Sequence, residues 1–586
     1  MADDLSVQKG NHFIQLGFDY IHEELNLAGL NTENGQFTFN GSYSGLGLSD
    51  LLLGAPNTFS QGFGPGAAAH LRYNYFGYYV QDTWHAAKNL TINAGLRWEP
   101  WFPEFEKNNI GGEFSPAAFA SNTVSTVYTN APAGIVFYGD KGVKPGFVNS
   151  RFTNFSPRIG FAFDPQGNGK SSLRGSYTLT FEAPELYYDS GFPGNSPNAS
   201  AQSFTVDNST NQTDAVKSFD NPWKKIAGGS PYPTQYPAPS TAAFAATNVS
   251  TGYYPSDLRR TYMHQYNVSY QNQISANWLA SLSYIGTSTI HLWGFQPYNY
   301  ATPAPTPTGA AATTNNTSQR YLLYRAAIAN NTKAGTRYGA FSGTADYGMA
   351  NFNGIIATVN HRFANNFSML MNYTWSHCLS NMNYTGDNTP PAQDPNNHAG
   401  EYGNCNFDTT HNLTISGVAT TPKFPQRSLN YAVGAWQVSP LITYRTGMPY
   451  TVTDGTDRSL TAIGQDRPNL VPGQSLYAKN LFPAAGVKPL WINTSAYALQ
   501  ALGTFGNEAP LQARGPGFAN VDVAISKHFP IFERSQLEIR GEAFNVLNHP
   551  NYANPNTAIS SSSTFGRITA TANDARLLQI AAKITF

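Results

Sequence analysis

Apolar and polar residues alternate strictly over several stretches of this chain. In segment 171–181, Leu173, Gly175, Tyr177, Leu179 and Phe181 fall on one face, with Arg174, Ser176, Thr178 and Thr180 on the other. In 90–99, Leu90, Ile92, Ala94, Leu96 and Trp98 oppose Thr91, Asn93, Gly95, Arg97 and Glu99. In 367–375, Phe367, Met369, Met371, Tyr373 and Trp375 oppose Ser368, Asn372 and Thr374. The final stretch sets Leu578, Ile580, Ala582, Ile584 and Phe586 against Gln579, Lys583 and Thr585. A period of two is that of a β-strand, whose side chains point alternately to the two faces of a sheet. The stretches run about 9–11 residues, enough to cross a bilayer when tilted. Strands of soluble sandwiches are shorter, about 5–6 residues. One face is apolar and aromatic. The other carries Arg, Glu, Lys and Asn and must be wet.

The connections alternate as well. Short turns at 85–88, 165–170, 275, 364–366, 421–428 and 530–534 join the predicted strands in pairs. Between the pairs lie long segments rich in Asn, Pro, Ser and Gly: 100–154, 182–258, 287–350, 378–408, 446–517 and 547–574. Short turns on one side and long loops on the other are the pattern of an outer-membrane β-barrel. Such long loops are uncommon in compact soluble domains. The pattern predicts about 15 strands (read against known barrels), the first two being weak ones at 11–22 and 33–42 joined by a turn at 23–32. Phe586 ends the last strand on the short-turn side. The strand at 11–22 then runs down from the long-loop side, which puts residue 1 outside the cell. Bacterial single-chain barrels have even strand numbers, so at least one further strand is expected upstream.

Composition narrows the class. Of 586 residues, 12% are charged, against about 25% in an average soluble domain. Tyr, Phe and Gly are abundant, which is β-rich usage. The formal net charge is zero, so nothing suggests a nucleic-acid partner. No run reaches the roughly 18 apolar residues of a membrane-spanning helix. That excludes helical membrane proteins but not barrels, which show lipid only every second residue. The first ten residues are acidic and lack the apolar core of a signal peptide. An outer-membrane protein must be exported, so the precursor is expected to begin upstream of Met1.

Motifs of chemistry are weak. The segment DPQGNGKSS (164–172) has Asp164 where a phosphate-binding loop needs Gly, and a strand pattern follows it instead of a helix. It reads as a hairpin turn. GSYSG (41–45) has Tyr43 where a nucleophile elbow needs Ser. The twelve histidines, among them His411 and His549 near strand ends, make no metal-ligand spacing. No catalytic residue, metal or cofactor is therefore expected. Cys378 and Cys405 flank one predicted external loop, and a disulfide between them suits an oxidising compartment. Aromatics at strand ends (Trp84, Trp98, Trp101, Phe181, Trp278, Trp375 and Phe586) are expected to form girdles at the membrane interfaces. Loop aromatics such as Tyr253, Tyr254 and Tyr338 are candidates for touching a polar ligand.

Several stretches resemble the barrel of the TonB-dependent receptors, specifically the Oar-like branch common in acidobacteria. They are YYVQDTWHAAKNLTINAGLRWEP (78–100), FSPRIGFAFDPQGNGKSSLRGSYTLTFE (155–182), CNFDTTHNLTISG (405–417) and EIRGEAFNVLNHPNYANPNT (538–557). The terminal Phe586 matches the signal usually read by the barrel-assembly machinery. The resemblance implies a barrel of about 22 strands, filled by an N-terminal plug through which the energy-coupling protein TonB acts. No plug is recognisable in this sequence.

The expectation is therefore an all-β, antiparallel transmembrane barrel in the bacterial outer membrane. The whole chain, 1–586, forms one domain, the C-terminal part of a larger barrel. The function expected is that of a TonB-dependent importer. Its external loops bind a polar ligand, and lumen residues Arg97, Glu99, Arg174, Glu538, Arg540 and Glu542 meet plug or solute. Its partners are membrane lipid, the TonB system, the assembly machinery and that unidentified ligand. The alternatives are a passive porin or adhesion barrel, and a soluble all-β protein.

Overall fold

The computed structural model describes the chain except residues 29–33, 63–67, 145, 184–196, 198–200, 207–218, 225, 231, 233, 234, 236, 247, 248, 250, 304–320, 331, 383–391, 484, 485 and 533. Parts of the predicted loops 182–258, 287–350 and 378–408 thus lie outside the described residues.

One antiparallel sheet of seventeen strands dominates the fold. Two of them, Phe105–Glu106 and Gly403–Asn404, are two-residue flaps. The long strands are β1 (Ala2–Lys9), β2 (His12–Ala28), β3 (Ala68–Ala87), β4 (Leu90–Trp98), β5 (Phe155–Phe163), β6 (Ser171–Phe181), β7 (Tyr262–Gln273) and β8 (Trp278–Pro297). They continue as β9 (Ser342–Ala364), β10 (Phe367–Ser380), β11 (His411–Thr420), β12 (Trp436–Arg445), β13 (Phe518–Phe532), β14 (Ser535–Phe544) and β15 (Leu577–Thr585). Each pairs with the next in sequence, an up-and-down meander. The edge strands β1 and β15 are not paired with one another.

The register sorts side chains between two faces. Leu5, Leu16, Val80 and Leu96 stand opposite one another across β1–β4. Val268, Tyr284, Ile355 and Trp375 do the same across β7–β10. These eight side chains are 38–58% exposed. Registered rows of exposed apolar groups would be a liability in water and are the normal outer face of a barrel in lipid. No helix among the described residues is long and apolar enough to cross a membrane.

Chain punctuation explains the hairpins. Asn365 and Asn366 both adopt positive φ, 50° and 67°, between β9 and β10, as a two-residue hairpin turn of the primed type requires. Segment 164–172 is the turn into β6, and Asp164 holds it by accepting hydrogen bonds from the Gln166 and Gly169 backbone N–H groups at 3.2 and 2.7 Å. On the other side of the sheet, β8 and β9 run 20 and 23 residues. That is longer than a bilayer needs, and they carry their ribbon into the loop layer.

The N-terminus differs from expectation. Lys9 faces His12 across a two-residue turn, where Gly10 has φ +58°. The first hairpin is therefore β1–β2, and β2 runs on to Ala28, so residues 23–28 of the expected turn at 23–32 are strand and the rest of it lies outside the described residues. Residues Gln36–Thr38 belong to a separate three-stranded sheet with Thr58–Gly62 and Ala201–Thr205. The Gly10 turn decides the register, while the charges of β2 (His22, Glu23, Glu24) lie on its loop-side end and blur the alternation. With the shift, β1 still descends from the loop side. A second difference is the turn expected at 421–428. It spans 421–435 and contains a helix, Arg427–Ala432. Lys527 anchors that helix by donating to the Asn430 and Tyr431 carbonyls, both at 2.7 Å.

Candidate functional site

The face opposite the apolar rows is polar, and glycines make it so. Gly77 lies beneath the Arg97 guanidinium, where a Cβ would collide with it. At Gly95 a Cβ would stand 2.9 Å from Arg158 Nε. At Gly17 it would collide with Asp4. The missing side chains let the arginines lie flat on the wall.

Arg97 is the hub. It donates to Asp19 at 2.7 Å, to Glu99 at 2.8 Å and to the Tyr75 hydroxyl at 2.7 Å. The Tyr75 hydroxyl in turn donates to Glu99 at 2.7 Å. Arg260 stands 3.6 Å from the second Glu99 oxygen. Such charge-assisted networks fix geometry, but their charges need water or a polar occupant nearby. At the far edge, Arg540 pairs with Glu542 at 2.6 Å, and Glu538 faces Lys583 across β14–β15. Strand alternation in β4, β6 and β14 places Arg97, Arg174, Glu538, Arg540 and Glu542 on this inner face, and Glu99 joins them just past the end of β4. Asp4, Asp19, Tyr75, Arg158 and Arg260 belong there too. Sequence reading did not name these five: the shifted first hairpin hides Asp4 and Asp19, Arg260 precedes its strand, and Tyr75 and Arg158 lie in expected strands but gain their roles only from cross-strand pairing.

The loops form packed layers. Phe114, Tyr128, Ile135, Phe137, Tyr338 and Phe341 make one core. A second gathers Tyr450, Val452, Ile492, Tyr497, Ala513 and Phe565. Tyr338 is 3% exposed and donates to the Ala133 carbonyl at 2.8 Å, and Tyr254 is also buried. These two tyrosines are loop core and not ligand platforms, because the loops are large enough to need cores of their own. Trp101 likewise departs from the girdle. It is fully buried against Trp293, Leu71 and Leu258. Trp84 and Phe586 are exposed near strand ends, and Trp375 is exposed within β10, five residues before its end.

Neighbouring loops interlock. Arg467 forms a two-pronged ion pair with Glu401. Arg514 pairs with Asp408. Asn396 donates to the Tyr300 hydroxyl at 2.6 Å. Cys378 and Cys405 are joined, with Cα atoms 5.4 Å apart. Burial pushes the Glu508 carboxyl up to about 8, and it raises Asp454 and Asp466 as well. His411 accepts or shares a proton with the Tyr373 hydroxyl at 2.8 Å. Among the described residues no three His, Cys, Asp or Glu side chains gather as metal ligands.

A meander with an apolar outer face, a charged inner wall, short turns at one end and packed loops at the other defines an outer-membrane β-barrel wall. The chain belongs to the outer membrane beta barrel domain family, whose model matches residues 1–579. Its place is the outer membrane. Among curated protein sequences none matches it. Solved structures similar to it include the outer membrane transporter YddB from Escherichia coli, at 10% identity and TM-score 0.47, covering 99% of this chain and 52% of that one. The FrpB iron transporter from Neisseria meningitidis is similar at 10% identity and TM-score 0.42, covering 99% and 54%. The siderophore receptor PirA from Acinetobacter baumannii is similar at 9% identity and TM-score 0.42, covering 100% and 53%. The chain spans about half the length of these structures.

Proposed function

We propose that the chain is the barrel portion of a TonB-dependent importer. Its loops bind a polar ligand, and its lumen passes that ligand to the periplasm. The observation that carries this reading is the Asp19–Arg97–Glu99–Tyr75 network on the inner wall. Charged groups fixed on the inner face suit a polar plug or a polar solute, because even mutually paired charges are costly to hold in a lipid-filled or dry interior. In this reading the unpaired edges β1 and β15 join further strands, and a plug seated in the lumen couples to TonB. Phe586, exposed at the end of β15 on the outer face, is the mark for the assembly machinery.

The test is uptake of a panel of fluorescent oligosaccharides by cells making the full-length protein, with and without a protonophore. An importer accumulates its ligand above the external concentration and stops when the proton gradient collapses. A passive pore equilibrates regardless of the protonophore, and that result would reject the reading.

A further inference from the structure

We propose that the short-turn end of the lumen wall holds an oxyanion site, which takes a phosphate or carboxylate group of a passing solute. Lys170, Arg174 and Arg362 line one recess of about 220 Å³ together with Ser172, Gln271 and Gln273. The register puts Ser172, Arg174, Gln271 and Gln273 on the inner face, and Lys170 ends the turn beside them. Arg174 stands opposite Ser269, and Ser172 opposite Gln271. Trp278 faces His361 on the outer side, so Arg362, the next residue of β9, belongs to the inner one.

What distinguishes these cations is the lack of counter-charge. Arg97 is paired with Asp19 and Glu99, and Arg540 with Glu542. Among the described residues, Lys170, Arg174 and Arg362 have no carboxylate at salt-bridge distance. The Arg174 Nε group donates only to Ser172 Oγ, at 3.1 Å. The nearest acid along the chain, Asp164, is committed to the backbone of its own turn. Strands β5 to β8 and β10 to β12 contain no Asp or Glu at all. The single acid of β9, Asp346, sits at the loop end, 3.3 Å from His291.

Three like charges around one recess repel one another, and an anion among them reverses the sign of that interaction. Two guanidinium forks match the planar oxygens of a carboxylate or the face of a phosphate. The hydroxyl and amide groups of Ser172, Gln271 and Gln273 supply further donors. One strand away, Arg158 lines an adjoining recess with Thr178 and Thr180. That recess also holds Glu99 with its partner Arg97, so the uncompensated positive charge is confined to the recess at the short-turn end.

The inference rests on the reading of the lumen as a solute path. Its test needs no transport, so the two can fail separately. The full chain, refolded in detergent, is titrated calorimetrically with inorganic pyrophosphate and, in a second arm, with succinate. Saturable binding that weakens with added salt is expected in at least one arm, and the arm that binds assigns the phosphate or the carboxylate. The triple substitution Lys170→Gln, Arg174→Gln, Arg362→Gln lowers that affinity at least tenfold. Lys423→Gln, at the same end of the sheet, leaves it unchanged. Retained heat-modifiable gel mobility shows that the variants are folded. Binding of neither anion, or equal binding by the folded triple variant, would overturn the proposal.

Discussion

Arg467 holds Glu401 by two parallel hydrogen bonds, 2.8 Å from Nη1 to Oε2 and 2.9 Å from Nη2 to Oε1. The pair ties the loop after β12 to the loop after β10. Both side chains are largely buried, 7% and 13% exposed. Removing one partner of a buried pair strands the other charge and costs about 3–5 kcal/mol. Arg467→Ala is therefore expected to loosen the loop layer while the sheet stays intact. Limited proteolysis should show new cuts within 393–401 and 454–508, with unchanged heat-modifiable mobility. Equal protease resistance in the variant would show that the pair does not hold the loops together.

The link between Cys378 and Cys405 sits at the root of the same loop. The Cys405 backbone N–H donates to the Cys378 carbonyl at 2.9 Å, and the Cys378 N–H to Asp408 at 2.6 Å. Closing a loop of this length is worth about 3–4 kcal/mol on the chain-entropy model. Thiol titration of the native protein should find no free thiol before reductant and two afterwards. Two free thiols in the untreated protein would contradict the link.

Burial sets the pH response of the loop layer. Glu508 accepts only a long hydrogen bond, 3.4 Å, from the Val452 N–H, and its carboxyl is pushed up to about 8. Between the ordinary carboxylate range and about pH 8, the folded loop keeps a proton that the unfolded loop has released. Stability therefore falls as pH rises through that window. Hydrogen exchange of the 450–513 backbone should quicken from pH 5 to pH 9, and Glu508→Gln should flatten the profile. Exchange corrected for its intrinsic pH dependence that stays constant in the wild type would count against this.

Much of the fold is legible in the sequence where a strand is half in lipid and half facing water. There the period of two survives, as in β4, β6, β10 and β15. It fails where other forces decide. A single glycine turn moved the first hairpin. The helix Arg427–Ala432 lies at the sheet end, where Leu429, Tyr431 and Val433 remain exposed and the polar pattern is that of neither strand nor turn. Trp101 and Tyr338 look like interface or ligand aromatics until loop packing, invisible in a local window, buries them. The lumen network was half legible. Alternation gave Arg97, but its partner Asp19 lies 78 residues away and is set by strand pairing alone.

Gly77 tests why the wall is polar. Gly77→Val places a branched side chain where the Arg97 guanidinium lies, so the Asp19 and Glu99 bonds are lost. Ion-pair loss on a partly buried surface and the displaced arginine are expected to cost about 1–3 kcal/mol. Chemical denaturation of the refolded protein should show a lower midpoint, with the double variant Gly77→Val, Arg97→Ala recovering part of it. A midpoint equal to the wild type would mean that the glycine does not serve the arginine.

The two-faced sheet is the central claim, and labelling along one strand tests it most directly. Single cysteines are introduced at positions 172 to 180 of β6, and each carries a fluorophore in lipid vesicles. Positions 173, 175, 177 and 179 should be quenched by brominated lipid tails, and 172, 174, 176, 178 and 180 by aqueous iodide. Loss of that alternation, or iodide quenching at every position, would contradict a membrane-spanning barrel wall.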